Sequence, residues 1–181
     1  YDADECMDAV TGWMKKRYGW DESRENLFFC PGVVAAYAAL INLLTERGDG
    51  IVLQRPIYYP FTNKANSNGR IPVDNALIYE NGAYRIDFED LDKKMADPVN
   101  KVLVVCSPHN PTGRVWEREE IEKAMEIYKA NECVVISDEI WSDRSEERAS
   151  IISQRSPFRR MHASAPSHFM HRPRPLTWLA L

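Results

Sequence analysis

Asp138 closes the apolar run CVVIS (133–137) and opens the polar segment SDEIW (137–141). A carboxylate at the end of a buried strand needs a cation or a hydrogen-bond donor beside it. It can hold a positively charged ligand group, or it can cap the next turn. A second apolar run ends in SPHNPTG, residues 107–113. Two X-Pro bonds three residues apart predict a rigid polar loop that presents Asn110, and Asn-Pro is a candidate cis bond of the kind kept for tight turns. The alternative is a plain strand-to-helix connection. In CPGVV (30–34), Pro31 and Gly32 stand at a helix start. Free N–H groups and the helix dipole there make a seat for phosphate, and glycine lets a ligand approach the backbone. The same pair is also ordinary punctuation. A fourth segment, RPIYY (55–59), is aromatic and follows a further strand-like run.

Such groups need rigid carriers. The β-branched runs GIVLQ (50–54), KVLVVCS (101–107) and CVVIS (133–137) predict strands buried on both faces. Periodicity predicts helices over 2–17, 33–46, 87–96 and 117–130. In the last of these, Ile121, Ala124, Met125 and Tyr128 fall at i, i+3, i+4 and i+7 behind an acidic first turn, as on an amphipathic helix lying on a sheet. Strand and helix in turn predict an α/β layered domain with a mostly parallel sheet. In such sheets ligands bind where strands end and loops begin, which is where the polar segments fall.

At 181 residues and 44% hydrophobic, the chain can bury one sizeable core. Its net charge of −4 conceals an asymmetry. Residues 144–181 carry seven Arg against two Glu, a net +5, which leaves −9 on residues 1–143. An acidic body argues against nucleic acid as a partner, and the basic tail lacks the Lys runs and aromatic interleaving of a nucleic-acid arm. Cys6, Cys30, Cys106 and Cys133 form no C-x-x-C pair and are expected to be reduced, two of them in the core, in a cytoplasmic compartment. No metal site is expected. No leader pattern and no apolar run of about 18 residues is present, so no membrane partner is expected. Without G-x-G-x-x-G or a P-loop lysine, a Rossmann or P-loop nucleotide binder is set aside.

Taken in order, PGVV, RPIYYPF, SPHNPTGRVW and SDEIWSD resemble the fold-type I pyridoxal-phosphate enzymes of the aminotransferase class I/II superfamily, and within it the cystathionine β-lyase (cysteine-S-conjugate β-lyase) branch. The resemblance covers residues 1–143. It implies part of a three-layer α/β large domain that binds pyridoxal 5'-phosphate. The backbone around Gly32, Val33 and Val34 would hold the phosphate, and Tyr58 would stack on the pyridine ring. Asn110 would hydrogen-bond the ring hydroxyl oxygen, and Asp138 would pair with the protonated ring nitrogen. Trp141 stands where many aminotransferases have a Tyr that contacts the ring oxygen; an indole accepts no hydrogen bond, so that contact is changed or absent. The implied reaction breaks the Cβ–S bond of a cysteine thioether to give thiol, pyruvate and ammonia. A true aminotransferase shares every segment and is the alternative, and a non-catalytic product is a further one. Family members are homodimers.

The family also needs a lysine that forms a Schiff base with the cofactor and shuttles the Cα proton, in a segment like Ser-Lys-Thr-Phe after the Asp strand. The eight lysines here, at 15, 16, 64, 93, 94, 101, 123 and 129, all precede Asp138, and none matches that segment. No catalytic residue is therefore assigned within the chain. The tail has six Ser, four Pro and three of the four His, and no Lys, Asp, Gly or Tyr. If its codons are read one base earlier, residues 152–180 permit HIPTQSLSEDAR(K/Q)RTITFYAPSKTF(D/N)LAG, with the lysine codon overlapping that of Arg174. Residues 1–143 are thus expected to be a piece of the cofactor domain and residues 144–181 an out-of-frame, disordered tail. Parts of the small domain before Tyr1, and the C-terminal domain with its carboxylate-binding Arg, are expected to be missing.

Overall fold

The computed structural model describes residues 3–21 and 23–144. The expectation for the tail lies outside the described residues beyond Arg144. Within them the chain runs α1 (Ala3–Tyr18), a 3₁₀ turn at Arg24–Asn26, α2 (Val33–Leu44), β1 (Gly50–Arg55), α3 (Tyr59–Ser67) and β2 (Ile71–Ala76). A short hairpin, β3 (Ile78–Glu80) and β4 (Ala83–Arg85), leads to α4 (Phe88–Met95), β5 (Asn100–Cys106), α5 (Arg118–Ala130), β6 (Val134–Asp138) and a last 3₁₀ turn at Ser142–Arg144.

The main sheet has the order β2-β1-β5-β6 and every pairing in it is parallel. The three strands expected from β-branched runs are the two inner ones, β1 and β5, and the edge strand β6. Side chains alternate between faces along each strand. Val52, Leu103, Val105 and Val135 turn to a cluster with α4 and α5, where Leu91, Met95, Ile121, Ala124, Met125 and Tyr128 are buried. Ile51, Leu53, Val102, Val104 and Ile136 turn to the other face, against Tyr37, Leu40 and Ile41 of α2 and Phe61 and Ala65 of α3. The sheet is therefore sandwiched between two helical layers. The crossover through α3 lies on one face and that through α5 on the other, so the order reverses between β1 and β5 and opens a crevice at their carboxyl ends.

Local chemistry explains the element ends. Asp87 caps α4 by accepting from the Asp90 N–H at 3.0 Å, and α5 opens on a capping box between Glu117 and Glu120. Four elements are additions to the expected set: helix α3, strand β2 and the two strands of the β3–β4 hairpin. Helix α3 begins with Pro60 in its first turn, where a missing N–H costs nothing. Strand β2 contains Pro72 and lies at the sheet edge, the place where a strand tolerates proline. Helix α1 packs through Met14 and Tyr18, and it is tied to the segment after β6. The Trp13 Nε1–H donates to Asp143 at 3.0 Å, and the Tyr18 hydroxyl donates to the same carboxylate.

Candidate functional site

In β5 and β6, Cys106 stands directly opposite Asp138. The alternation that sends Val104 and Ile136 toward the α2–α3 layer sends Cys106 and Asp138 the same way. Asp138 is 6% exposed. Its Oδ1 accepts the Ile140 N–H at 3.2 Å, so it does cap the following turn. Its Oδ2 receives only the Cys106 thiol, with Sγ at 3.7 Å, and no cationic side chain pairs with it among the described residues. Burial pushes this carboxyl above the usual carboxylate range, against the Ile140 and Cys106 hydrogen bonds that favour the charge. The turn uses one oxygen and leaves the other undercompensated.

The Asn110 loop is locked on several sides. The Ser107 N–H donates to the Asp138 carbonyl at 3.0 Å. The His109 N–H donates to the Arg114 carbonyl at 2.7 Å, and the Gly113 N–H donates to the His109 carbonyl at 2.7 Å. The Trp116 indole, fully buried, donates to the Cys106 carbonyl at 2.9 Å, and the His109 ring meets Trp116 edge-on at 5.5 Å. The Arg55–Pro56, Ser107–Pro108 and Asn110–Pro111 bonds are cis. Asn110 itself is half-buried, and its side-chain amide makes no hydrogen bond among the described residues. Ser107 Oγ and both polar side-chain atoms of Gln54 are also buried at this edge of the sheet, without a hydrogen-bond partner among the described residues.

His109 is the clamp of the loop. Its Nε2 lies 3.1 Å from the Gln54 carbonyl, which can only accept, so Nε2 carries the hydrogen. Nδ1 then accepts from the Thr112 hydroxyl at 3.0 Å. Burial lowers the imidazole to about 4, against the Gln54 hydrogen bond, from an ordinary value of 6.5. The unfolded chain therefore binds a proton that the folded chain refuses between about pH 6.5 and pH 4. His109 contributes stability that is fully present above pH 6.5 and lost as pH falls through that window. Thermal melts should show the parent losing Tm from pH 6.5 to 4.5 more steeply than His109→Gln; parallel curves would refute the assignment.

The remaining expected residues lie around the same edge. Gly32 is the N-cap of α2 with φ 96°, a left-handed value that favours glycine, and an added Cβ would meet nothing within 4 Å. Among the described residues no side chain caps this helix, and no acid occupies its first turn, so the N–H groups at Val33 and Val34 suit an anion. Helix α2 returns to the start of β1, which puts its N-terminus at the carboxyl edge of the sheet. Tyr58 caps α3 and packs, half-buried, on the α2–α3 cluster with Phe61 edge-on at 5.9 Å. Trp141 lies three residues past Asp138 and is 41% exposed. Through Cys106 the structure joins Asp138 to the Pro108 carbonyl of the loop that carries Asn110. Gly32, Val33, Val34 and Tyr58 belong to the layer they face, and Trp141 stands apart on the following turn. Cys106 was not among the residues expected at the site, because its place beside Asp138 depends on the strand register. Cys106 and Cys133 are buried, as read from their apolar runs, whereas Cys6 is exposed.

Fold and site together define an open, parallel α/β protein with a ligand crevice at the carboxyl ends of its strands. The chain belongs to the aminotransferase class I and II family, whose model matches residues 1–165. It is 46% identical over 136 residues to cystathionine β-lyase PatB of Bacillus subtilis, covering 75% of this chain and 35% of that protein. Among solved structures, it superimposes on the pyridoxal-phosphate-bound C–S lyase of Staphylococcus hominis with a TM-score of 0.73 at 38% identity, covering 77% of this chain and 36% of that one. It also superimposes on cystalysin of Treponema denticola, which contains pyridoxal 5'-phosphate, with a TM-score of 0.74 at 37% identity, covering 76% and 35%. The fold is thus part of a fold-type I large domain, and the chain spans about a third of the length of the curated relatives it matches. No helix among the described residues is long and apolar enough to cross a membrane.

Proposed function

We propose that residues 1–143 are the cofactor-binding part of a pyridoxal-phosphate C–S β-lyase that cleaves cysteine thioethers, and that residues 144–181 are an out-of-frame tail. The observation that carries the cofactor reading is Asp138, a buried carboxylate with one oxygen turned to the α2–α3 face and no cation beside it among the described residues. A protonated pyridine nitrogen is the partner such a group lacks. When bound, pyridoxal phosphate supplies an electron-withdrawing ring that makes the substrate Cα–H acidic. Asp138 would keep that ring protonated, and the side-chain amide of Asn110 would reach its hydroxyl oxygen. Tyr58 would cover one ring face and exclude water, and the N–H groups at Gly32, Val33 and Val34 would hold the phosphate. Trp141 would border the ring without accepting a hydrogen bond. The likeness to C–S lyases supports the lyase over the aminotransferase reading.

The chain would lack the attaching lysine, and with it turnover. Cytoplasmic location and a homodimer of the complete protein belong to the same proposal. Titrating the 181-residue chain with pyridoxal phosphate tests it: we expect saturable quenching of tryptophan fluorescence, competed by inorganic phosphate. After borohydride reduction and proteolysis, no single lysine should carry cofactor stoichiometrically. Absence of saturable binding would remove the cofactor reading, and one stoichiometrically labelled lysine would remove the claim of inactivity.

A further inference from the structure

The Cys106 sulfur lies between Asp138 and the loop that carries Asn110. It stands opposite Asp138 in the parallel ladder, on the same face, with Sγ 3.7 Å from Asp138 Oδ2 and 3.4 Å from the Pro108 carbonyl. The thiol keeps its proton throughout the folded range: burial, with the Asp138 charge next, pushes it up to about 12. A protonated sulfur can donate one hydrogen and accept another. Of its two acceptors the Pro108 carbonyl is nearer, but the Asp138 carboxylate carries charge and draws the weak donor more strongly. Sulfur also spans a separation of 3.7 Å that a serine hydroxyl would leave open.

We propose that Cys106 is a positioning residue for the ring: its sulfur holds the Pro108 carbonyl of the Asn110 loop and Asp138 Oδ2 in one fixed relation, aiming the carboxylate at the ring nitrogen. This rests on the cofactor reading above. It assigns the cysteine a duty in ring geometry beyond filling the core.

Dissociation constants for two ligands test it in the 181-residue chain. One is pyridoxal phosphate; the other is its 1-deaza analogue, in which a C–H replaces the ring nitrogen. Cys106→Ala should weaken pyridoxal phosphate about 3- to 10-fold, the scale of one lost hydrogen bond to a charged group, and leave the analogue unchanged. Cys106→Ser should fall between alanine and the parent. Equal losses for both ligands would show a general packing role and overturn the proposal, as would no loss for either. Without any ligand, ¹³C NMR titration should find the Asp138 carboxyl raised further in Cys106→Ala, since the thiol hydrogen bond favours its charge. An unmoved titration also overturns it. Asp138→Asn separates the two levels: if it binds pyridoxal phosphate as the parent does, the cofactor reading itself fails and this role fails with it.

Discussion

Asp138→Asn is expected to weaken pyridoxal phosphate binding on the order of 10- to 100-fold while making the unliganded chain more stable. The two signs come from one cause. Asparagine keeps the shape, and its Oδ1 can still accept the Ile140 N–H that Asp138 accepts at 3.2 Å. It cannot supply the negative charge that a protonated ring nitrogen requires. In the absence of ligand that charge is a liability, because it is buried, capped on one oxygen and met on the other by a thiol. A carboxyl whose folded pKa is raised contributes stability below its ordinary value of 3.8 and loses it as pH rises through the folded value. The stability gain of Asp138→Asn should therefore be absent near pH 3.5 and grow toward pH 7, where it should reach about 1 kcal/mol. Fluorescence titration and thermal melts on the same two proteins decide it. Equal stability at pH 7 would mean that a partner outside the described residues already compensates the carboxylate.

That conflict between stability and ligand was half legible in the sequence. Asp138 drew attention because it follows CVVIS, and a carboxylate does not end such a run without a reason. What the sequence could not supply was the register. Cys106 becomes a neighbour of Asp138 only when Val104 pairs with Ile136, and parity then turns both side chains to one face. The same limit hid Gln54, whose carbonyl receives the His109 ring 55 positions away. Elements were legible in proportion to their burial. Strands β1, β5 and β6 are enclosed on both sides and read as unbroken β-branched runs. Helix α5 shows its buried stripe at Ile121, Ala124, Met125 and Tyr128. Helix α3 and strand β2 were missed because each contains a proline at a tolerated position and lacks a strong apolar period. The family was more legible than the strand pairing, since four short segments in order carried the resemblance without any pairing information.

Restoring one base near the Asp143 codon, so that the gene continues in the frame containing Ser-Lys-Thr-Phe, is expected to turn an inert product into an active lyase. On the proposed reading, residues 1–143 alone would bind, orient and shield a ring, with Asp138, Asn110, Tyr58 and the α2 N-terminus at the carboxyl edge of the sheet. On the same reading they lack the base for the Cα proton: the eight lysines all precede Asp138 and none stands in a Ser-Lys-Thr-Phe segment, and His109 is buried with both ring nitrogens engaged by the loop it clamps. Proton removal by a positioned base and covalent attachment are the steps that a lysine supplies, and enzymes of ordinary competence exceed the uncatalysed reaction by about 10⁶-fold or more. With cystathionine as substrate, the restored protein should release pyruvate and thiol, followed by coupled reduction of pyruvate. The 181-residue chain should match free pyridoxal phosphate in buffer. Replacing the restored lysine by alanine should return the rate to that baseline while leaving the Asp138-dependent binding in place. Conversion to pyridoxamine phosphate with little pyruvate would instead make the restored protein an aminotransferase. Turnover by the unrestored chain would show that a lysine before Asp138 does the work, and would overturn the out-of-frame assignment of residues 144–181. Sequencing the source genome across the codons for residues 141–181 settles which frame the gene carries, and the two experiments together separate a broken gene from a broken reading of it.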